Sequence, residues 1–567
     1  MKAKISSNTT WSNIKWNAIE KKVFCIQRKI YKYSKVDNQI QVHKLQKLLI
    51  NSFDSKLLAV RKITQDNSGK KTAGVDGVKS ISAQKRWKLA RTIKIDGKTM
   101  PIRRIDVPKK NGSLRPLGIP TLVDRVKQKL VLLALEPEWE AKFDSNSYGS
   151  RPGRCCQDAV EAVYKSINRL PKYILNADIE KCFDKIAHKP LLKKLNTFPL
   201  LSRQVKQWLK AGVMDSSFED FKKTVKETLE GTPQGGVISP FLANVALDGI
   251  EKQLKKKVTE SYGARSNKSL TVIRYVDDIV IAHPDLAVIK YCKSELSSFL
   301  IAFNLKLNIE KTQIVHTLNV NNSTRTRGLE FLGFHIRQLP IGKYKYKKQK
   351  RAYKTLIVPS RASVKNHLEN LKKTLKSAVK PEAIISQLNP KIIGWANYYR
   401  SVVSAEIFSY IDHKVLYMLL LRLKRIHKKR GMRWIYKRYF ARINQYKWTF
   451  YFQAKKNEEP LTLARHATVN ILRHTKVRKD SSIYDGDFSY WANRLKKIPD
   501  ISESKLKLLK KQKGKCALCF SEFKYGDITE IDHIVPISKG GKRIANNIQL
   551  VHRHCHHKKT GIDKSVS

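Results

Sequence analysis

Two adjacent carboxylates, Asp277 and Asp278, stand between two short runs rich in β-branched residues, 273–276 and 279–281. Such runs predict two strands, with the acids at the tip of a β-hairpin. Acidic turns are common, so the hairpin alone leaves an ordinary turn and a metal site both open. A two-metal catalytic centre needs acids on a rigid strand pair and a further acid from another strand.

Asp178 is the candidate for that further acid. It follows the apolar stretch 173–177, where a buried strand meets solvent. Taken alone, an aspartate that ends a strand is usually a turn or cap residue. Together with Asp277 and Asp278 it becomes the candidate third ligand, and Phe183, five residues further on, could wall the sugar of a nucleotide.

The C-terminal region carries a second group of ligand-type residues. Cys516 and Cys519 form a C-x₂-C pair, and His552 with Cys555 forms an H-x₂-C pair. This spacing suits tetrahedral zinc, and three cysteines crowded at one end of the chain favour a metal site over a disulfide framework. An accidental cysteine pair is the alternative, and the second pair argues against it.

The charge balance limits the classes of molecule that the protein is expected to bind. The chain of 567 residues holds 113 Lys and Arg against 47 Asp and Glu, a formal net charge of +66. An excess this large would repel itself unless a polyanion neutralised it, so nucleic acid is the predicted partner, with affinity that falls as salt rises. An anionic membrane is the competitor, but there is no uninterrupted apolar span of about 18 residues. The N-terminus lacks a signal-peptide core, so secretion is not expected.

The first 120 residues change from helical to strand-like patterns. Residues 11–65 carry apolar side chains at helical spacing and predict helices. The basic, glycine-rich loop at 69–77 lacks the Gly-Lys-Ser/Thr ending of a nucleotide P-loop, so that interpretation is rejected. Residues 104–120 predict a hairpin that turns at Asn111-Gly112, with basic residues along one face.

Two further helix starts are predicted. One helix runs from about Asp124 to Leu135 on the spacing of its apolar residues. The other follows a glycine-rich loop, with Ser239 as the N-cap and Pro240 as the first helical residue. Two glycines beside Gln234 would let the backbone approach a base pair or phosphate closely, and a simple loop is the alternative.

The order of these blocks resembles that of a reverse transcriptase. The blocks are ADIEKCFD around Asp178, GTPQGGVISP, YVDD, LNIEKTQ around Lys311, and FLGF. The N-terminal blocks LQKLLINS and RPLGIPTLVDRVKQ resemble those of group II intron-encoded reverse transcriptases in particular. GWANYY, with a later basic helix, resembles the thumb, or maturase X domain, of the same family. Val276 is a departure, because many members of this branch carry Ala there. The resemblance covers nearly the whole chain.

The resemblance implies a role for each matching residue of the polymerase site. Asp178 and Asp277 would bind two Mg²⁺ ions with Asp278 in support, one metal activating the primer 3′-hydroxyl and both stabilising charge at the α-phosphate. The residues implied around them contact the substrate. Arg104 and Arg115 would approach the incoming triphosphate, Phe183 would face the 2′ position, Gln234 would lie near the nascent pair, and Lys311 would lie near the metal-bearing hairpin.

The C-terminal region resembles an HNH nuclease. In that resemblance His533 is the general base that activates water, and Asn547 fixes its geometry. Asp532 and His556 hold one catalytic divalent ion. Cys516, Cys519, His552 and Cys555 bind a structural Zn²⁺. Many relatives have Cys where His552 stands, so His554 stays an alternative ligand. A purely structural zinc knuckle is the alternative for the whole region.

The implied fold class is multidomain α+β. It comprises a right-hand polymerase (fingers and palm), a helical thumb (maturase X) and a C-terminal ββα-metal HNH zinc module. Residues 343–351, KYKYKKQKR, would usually be a solvated loop, but the interleaved tyrosines and the family context favour an RNA contact. The predicted boundaries are 1–85 for the N-terminal extension and first block, 86–340 for fingers and palm, 341–445 for the mainly helical thumb, 446–508 for a DNA-binding region, and 509–567 for the nuclease.

The implied function is that of a multifunctional group II intron protein. It would copy RNA into DNA from dNTPs, assist splicing as a maturase, and nick target DNA. Its expected partners are intron RNA and target DNA, without a membrane, and a homodimer is an assembly to test. It would be encoded in a chloroplast or mitochondrion, or act in a bacterial cytoplasm. The rivals are an RNA-directed RNA polymerase, which the HNH tail argues against, and a splicing-only maturase, which the intact acids and His533 argue against.

Overall fold

The computed structural model describes most of the chain. It covers residues 11–67, 69, 72–108, 114–215, 230–318, 328–341, 353–378, 380–443, 445–453, 460–495, 503–523, 527–542 and 544–565. The predicted turn at Asn111-Gly112 and the basic run 343–351 lie outside these residues. Among the described helices, none is long and apolar enough to cross a membrane.

Helices dominate the N-terminal part, as the apolar spacing predicts. Ile19, Val23 and Ile30 lie on one buried face of the first helix, which packs on the long fifth helix. That fifth helix is longer than predicted at both ends, because Thr121 caps its start and Pro137 is accommodated inside it. The elements are α1 (Trp16–Lys35), α2 (Gln39–Asn51), α3 (Phe53–Arg61), a π-helical turn (Lys62–Asp66), α4 (Ala83–Thr92), β1 (Ile102–Pro108), β2 (Leu114–Ile119) and α5 (Leu122–Lys142).

A four-stranded antiparallel sheet, β5-β6-β3-β7, lies at the centre of the molecule. Its second strand alternates between two apolar clusters: Ile279 and Ile281 face one, and Val280 faces the other. Because both faces are covered, the strand reads as a continuous apolar run. The elements are α6 (Cys156–Ile167), β3 (Tyr173–Ala177), α7 (Cys182–Lys185), α8 (His188–Leu195), α9 (Pro199–Leu209), β4 (Val213–Asp215), α10 (Ser239–Leu247), α11 (Ile250–Ser269), β5 (Thr271–Tyr275), β6 (Asp278–His283), α12 (Leu286–Ile301) and β7 (Gln313–His316).

Two small sheets flank the central one. β1 pairs with β2 antiparallel, as the hairpin prediction requires, and with β4 in parallel. The second sheet has the order β10-β9-β8, from β8 (Leu329–Phe331), β9 (Phe334–Pro340) and β10 (Tyr353–Pro359). The predicted N-cap Ser239 is instead the first residue of α10, and its hydroxyl donates to the Pro233 carbonyl at 2.6 Å. That bond closes the glycine-rich loop, so the hydroxyl does not cap the helix.

Residues 361–440 are mainly helical, as predicted. Leu371, Leu388, Ile411 and Leu419 lie in one apolar cluster that binds these helices together. A short antiparallel sheet and one further helix follow. The elements are α13 (Arg361–Ser377), α14 (Pro381–Tyr399), α15 (Ala405–Ile426), α16 (Met432–Tyr439), β11 (Phe440–Ile443), β12 (Tyr446–Phe452), β13 (Leu461–Thr462) and α17 (Phe488–Leu495).

Residues 474–494, which we call the return strap, run back across the first half of the chain. His474 and Arg494 both contact the fully buried Asp158 carboxylate of α6, the guanidinium at 2.7 Å from each oxygen. Further along, the Tyr484 hydroxyl donates to Glu136 of α5 at 2.9 Å. The strap therefore joins α5 and α6 to the C-terminal half through buried polar contacts.

A small C-terminal unit completes the described chain. Its two strands pair antiparallel, with Thr529 opposite His552 and His533 opposite Ile548. A helix follows directly on the second strand, so the unit has a strand–strand–helix order. The elements are α18 (Glu503–Lys511), β14 (Thr529–His533), β15 (Ile548–His552) and α19 (Arg553–Ser565).

Candidate active sites

The two-acid hairpin joins β5 to β6 through a two-residue turn. Tyr275 pairs with Asp278, so only Val276 and Asp277 form the turn. Asp278 is the first residue of β6, and not a turn residue as the acidic-tip interpretation has it. Val276 has a φ of +59°, a left-handed conformation that is strained for a β-branched residue. The surrounding structure must therefore hold this turn in place.

Buried groups beneath the hairpin provide that support. The Arg274 guanidinium is fully buried and donates to Asn244 Oδ1 at 2.8 Å and to the Val276 carbonyl at 3.1 Å. Gly149 lies against the turn: a Cβ there would be 2.5 Å from Val276 Cγ2 and 2.7 Å from the Val276 nitrogen. Any side chain at Gly149 would displace the hairpin.

Asp178 lies at the same end of the sheet as the hairpin acids. It directly follows Ala177, which pairs with Ile279 of β6, so Asp178 stands next to Asp278 across the strands. The Lys311 ammonium contacts the Asp178 carboxylate at 3.0 Å. The structure thus brings the three predicted acids and the predicted lysine to one edge.

The electrostatics of this edge favour a bound cation. Burial raises the pKa of Asp277, and the Asp178 carboxylate raises it further. Burial, then Asp277 and Asp178, raise the pKa of Asp278 to about 6. Clustered carboxylates repel one another unless a proton or a cation intervenes, and carboxylate oxygens are the ligands that Mg²⁺ prefers. The residues present therefore fit divalent metal ions.

The raised pKa of Asp278 predicts a pH-dependent magnesium requirement. Below a pH of about 6 this carboxylate takes up a proton that competes with the cation. We expect the Mg²⁺ concentration for half-maximal nucleotide addition to rise about fourfold between pH 7.5 and pH 5.5, because the ionised fraction of a carboxyl group with a pKa of about 6 falls by that factor. The check is a Mg²⁺ titration of primer extension at both pH values, with primer–template binding measured in parallel. An unchanged half-saturating concentration would contradict the prediction.

The predicted substrate-binding residues differ in their surroundings. Arg115 on β2 is near enough for its charge to lower the pKa of Asp277 against the effect of burial. Arg104 on β1 contacts Asp106 at 3.4 Å. Phe183 on α7 is half-buried against the larger core cluster. The structure thus places Arg115 near Asp277, and Arg104 beside Asp106 on the same strand.

Gln234 is oriented by a residue that sequence reasoning missed. Its amide Nε2 donates to both oxygens of Asp184, at 2.9 and 3.0 Å. The neighbouring Gly235 packs on β2, where an added Cβ would lie 2.1 Å from the Gly118 carbonyl oxygen. The glycine-rich loop is thus fixed between α7 and the β1–β2 hairpin. The ADIEKCFD block already contains Asp184, six residues after Asp178.

Four nitrogen and sulfur ligands meet in the C-terminal unit. The ligand atoms of Cys516, Cys519, His552 and Cys555 all lie within 4.8 Å of one another. His552 Nδ1 is 3.4 Å from Cys519 Sγ, whereas His554 stacks on His552 with ring centroids 5.1 Å apart. Hydrogen bonds from Cys516 and Cys555 lower the pKa of the Cys519 thiol, which favours a metal-binding thiolate. This donor set fits zinc.

A second polar cluster lies beside these ligands. Asp532 and His533 end β14, and His556 Nε2 of α19 is 3.4 Å from Asp532 Oδ1. The other Asp532 oxygen accepts from Gln549 and from Lys559, each at 2.9 Å, and Lys559 also donates to the His533 carbonyl. The Asp532 and His556 atoms are close enough to share one divalent ion.

Glu530 and Asn547 hold the surroundings of this cluster. Glu530 Oε2 is 2.8 Å from His556 Nδ1 and fixes the ring from the side away from Asp532. The Asn547 amide donates to the carbonyls of Val535 and Lys542, at 3.0 and 2.8 Å. Asn547 therefore stabilises the loop that follows β14. Its influence on the position of His533 is exerted through that loop.

Four protein-family models match separate segments of the chain. The family model for reverse transcriptase (RNA-dependent DNA polymerase) matches residues 107–336, and that for the N-terminal domain of reverse transcriptase matches residues 11–93. The model for the group II intron maturase-specific domain matches residues 361–440. The HNH endonuclease model matches residues 516–561, which contain both C-terminal clusters.

Similar proteins are found in bacteria and in organelle-bearing organisms. Protein YkfC of Escherichia coli (strain K12) is 30% identical over 351 residues, covering 55% of this chain and 87% of YkfC. Group II intron-encoded protein LtrA of Lactococcus lactis subsp. cremoris is 25% identical, covering 80% of this chain and 91% of LtrA. Maturase-like protein 1 of Euglena gracilis is 24% identical, covering 69% of this chain and 77% of that protein.

Proposed function

The chain belongs to the group II intron-encoded reverse transcriptases and maturases that carry an HNH endonuclease domain. From that premise we propose which residues serve polymerisation, DNA cleavage and RNA binding. It is a multifunctional enzyme, with an RNA-directed DNA polymerase domain, a maturase domain and a DNA endonuclease domain. The observation that carries the proposal is the placement of Asp178, Asp277 and Asp278 together at one edge of the central sheet, where β3 ends and β6 begins.

In the polymerase site, Asp178 and Asp277 would hold two Mg²⁺ ions, with Asp278 in support. When bound, these ions lower the pKa of the primer 3′-hydroxyl and offset the charge that develops at the α-phosphate. Lys311 holds the Asp178 carboxylate, and Arg115 lies beside Asp277 as a positive partner for the triphosphate of a dNTP.

The remaining polymerase residues would select the substrate. Phe183 would face the 2′ position of the sugar, and Gln234, oriented by Asp184, would contact the nascent pair. Arg104 would reach the triphosphate after exchanging its contact with Asp106.

In the nuclease site, His533 would take a proton from the attacking water. Asp532 and His556 would hold one divalent ion, which stabilises the charge on the scissile phosphate. Cys516, Cys519, His552 and Cys555 would bind a structural Zn²⁺, and metal analysis should return one zinc per chain.

The maturase domain implies binding of intron RNA, and the net charge of +66 suits a polyanion of that size. We propose that residues 341–445 bind this RNA and that residues 446–508 contact target DNA. Residues 1–85 and 86–340 would form the polymerase, and residues 509–567 the nuclease. The site of action would be a bacterial cytoplasm or an intron-bearing organelle, as for the similar intron proteins. A homodimer remains a proposal.

The decisive experiment supplies the purified protein with its intron RNA, a DNA duplex containing the target, and dNTPs. We expect splicing to be stimulated, one DNA strand to be nicked, and cDNA to extend from the new 3′ end. Stimulated splicing without nicking or extension would favour the splicing-only maturase instead. Extension that is supported equally by ribonucleotides would favour an RNA-directed RNA polymerase.

A further inference from the structure

The nuclease unit packs directly on the N-terminal helices. The Arg553 guanidinium of α19 donates to the Asp66 carbonyl, at the end of the π-helical turn, at 2.7 Å. His554, the next residue, packs edge-on against Trp16 of α1 with ring centroids 6.5 Å apart. The two contacts join residues that are 487 and 538 positions apart in the chain.

The N-terminal side of this contact is rigid. The Arg61 guanidinium lies over the Trp16 ring at 4.7 Å and contacts Glu20 at 2.5 Å and Asp66 at 3.4 Å. Only 1% of the Arg61 side chain is exposed. Trp16 and Asp66 are therefore held by contacts within the N-terminal helices as well as by α19.

From this contact, hydrogen bonds lead to the proposed metal ligands. Arg553 Nε donates to Glu530 Oε1 at 2.6 Å, while its Nη1 reaches the Asp66 carbonyl. The other Glu530 oxygen is 2.8 Å from His556 Nδ1, and His556 Nε2 faces Asp532 at 3.4 Å. Arg553 thus links the N-terminal helices to the ring that would bind the nuclease ion.

We propose that Arg553 and Glu530 are positioning residues of the nuclease site, and that docking on Trp16 and Asp66 completes that site. The inference rests on the proposed nuclease function. A carboxylate that bonds the far nitrogen of a ligating histidine fixes the tautomer and orientation of the ring. A planar guanidinium can hold that carboxylate and a second acceptor at once, which an ammonium group does less well. The N-terminal helices would then tune metal binding in a domain at the other end of the chain.

The first test compares three variants on α19 by a Mg²⁺ titration of DNA nicking. For Arg553→Ala we expect the half-saturating Mg²⁺ concentration to rise about 10- to 100-fold, the range found when such supporting contacts are removed. Arg553→Lys should keep most of that defect, because it retains the charge without the fork. The matched control is Lys558→Ala, which removes one charge from the exposed side of the same helix. Primer extension and zinc content should be unchanged in all three.

The second test moves the change outside the nuclease unit. Trp16→Ala removes the ring contact with His554, one of the two docking contacts, without altering any residue of the zinc or nuclease clusters. We expect faster hydrogen exchange of the α19 amides and a nicking defect in the same direction as that of Arg553→Ala. Wild-type exchange and wild-type Mg²⁺ dependence in Trp16→Ala would overturn the inference. A wild-type protein that does not nick would refute the proposed function, and the exchange measurement would still decide the docking.

Discussion

Replacing Asp277 with Asn is expected to reduce primer extension on an RNA template by at least about 10³-fold, or about 4 kcal/mol of transition-state stabilisation. Asn keeps the shape of the turn residue but removes the charge that would bind a divalent ion. Burial and Asp178 raise the pKa of Asp277, so this carboxylate contributes to the repulsion that a cation relieves. The measurement is single-turnover extension of a DNA primer at saturating dNTP and Mg²⁺.

Two further measurements separate catalysis from folding in this variant. Intron RNA binding should stay within about threefold of wild type, because the change is local to the metal site. Thermal stability without divalent ions should be unchanged or slightly higher, since one repelling charge is gone. The matched control is Glu180→Gln, an exposed carboxylate two residues from Asp178. Extension within 10-fold of wild type, or RNA binding lost together with extension, would contradict the assignment.

Replacing His533 with Ala is expected to reduce DNA strand nicking by about 10²- to 10⁴-fold, the contribution of a general base. His533 is the last residue of β14, next to Asp532, and is the one histidine of that strand. Nicking is measured on a labelled duplex with the intron ribonucleoprotein. On a target that has already been nicked, cDNA synthesis should proceed at the wild-type rate, because the polymerase acids are untouched.

His413→Ala, which removes an exposed histidine of α15, is the control for this change. Zinc content should be the same in both variants, since neither residue belongs to the four-ligand cluster. If His533→Ala still nicks at the wild-type rate, the general base is another group. If it loses cDNA synthesis on the nicked target as well, the two sites are not independent.

Much of the two sites could be predicted because the signals are local in sequence. The β-branched runs around Asp277 specify a hairpin, and an apolar strand that ends at Asp178 specifies an edge position. The spacing of the C-terminal cysteines and His552 likewise brings one ligand cluster together. Glu530 could have been added, because it stands two residues before Asp532 and so projects from the same face of β14.

The remaining features depend on contacts that no local pattern encodes. The left-handed Val276 is held by Gly149, which is far away in sequence, and by the buried Arg274, whose side-chain contacts the sequence does not show. Helix α5 continues to Lys142, beyond the predicted end at Leu135, because Pro137 is accommodated inside it. Likewise, the packing of Trp16 on His554 follows from the tertiary fold alone.

The return strap has a consequence for how this protein is made on the ribosome. Asp158 is fully buried, yet its partner Arg494 is synthesised 336 residues later. At about 5–20 residues per second, the first half of the chain waits roughly 15 to 70 s for that partner. Until then a carboxylate in the interior lacks its counter-charge, and α5 and α6 lack part of their cover. The polymerase half is therefore expected to mature only near the end of translation, and to need a chaperone or its RNA until that point.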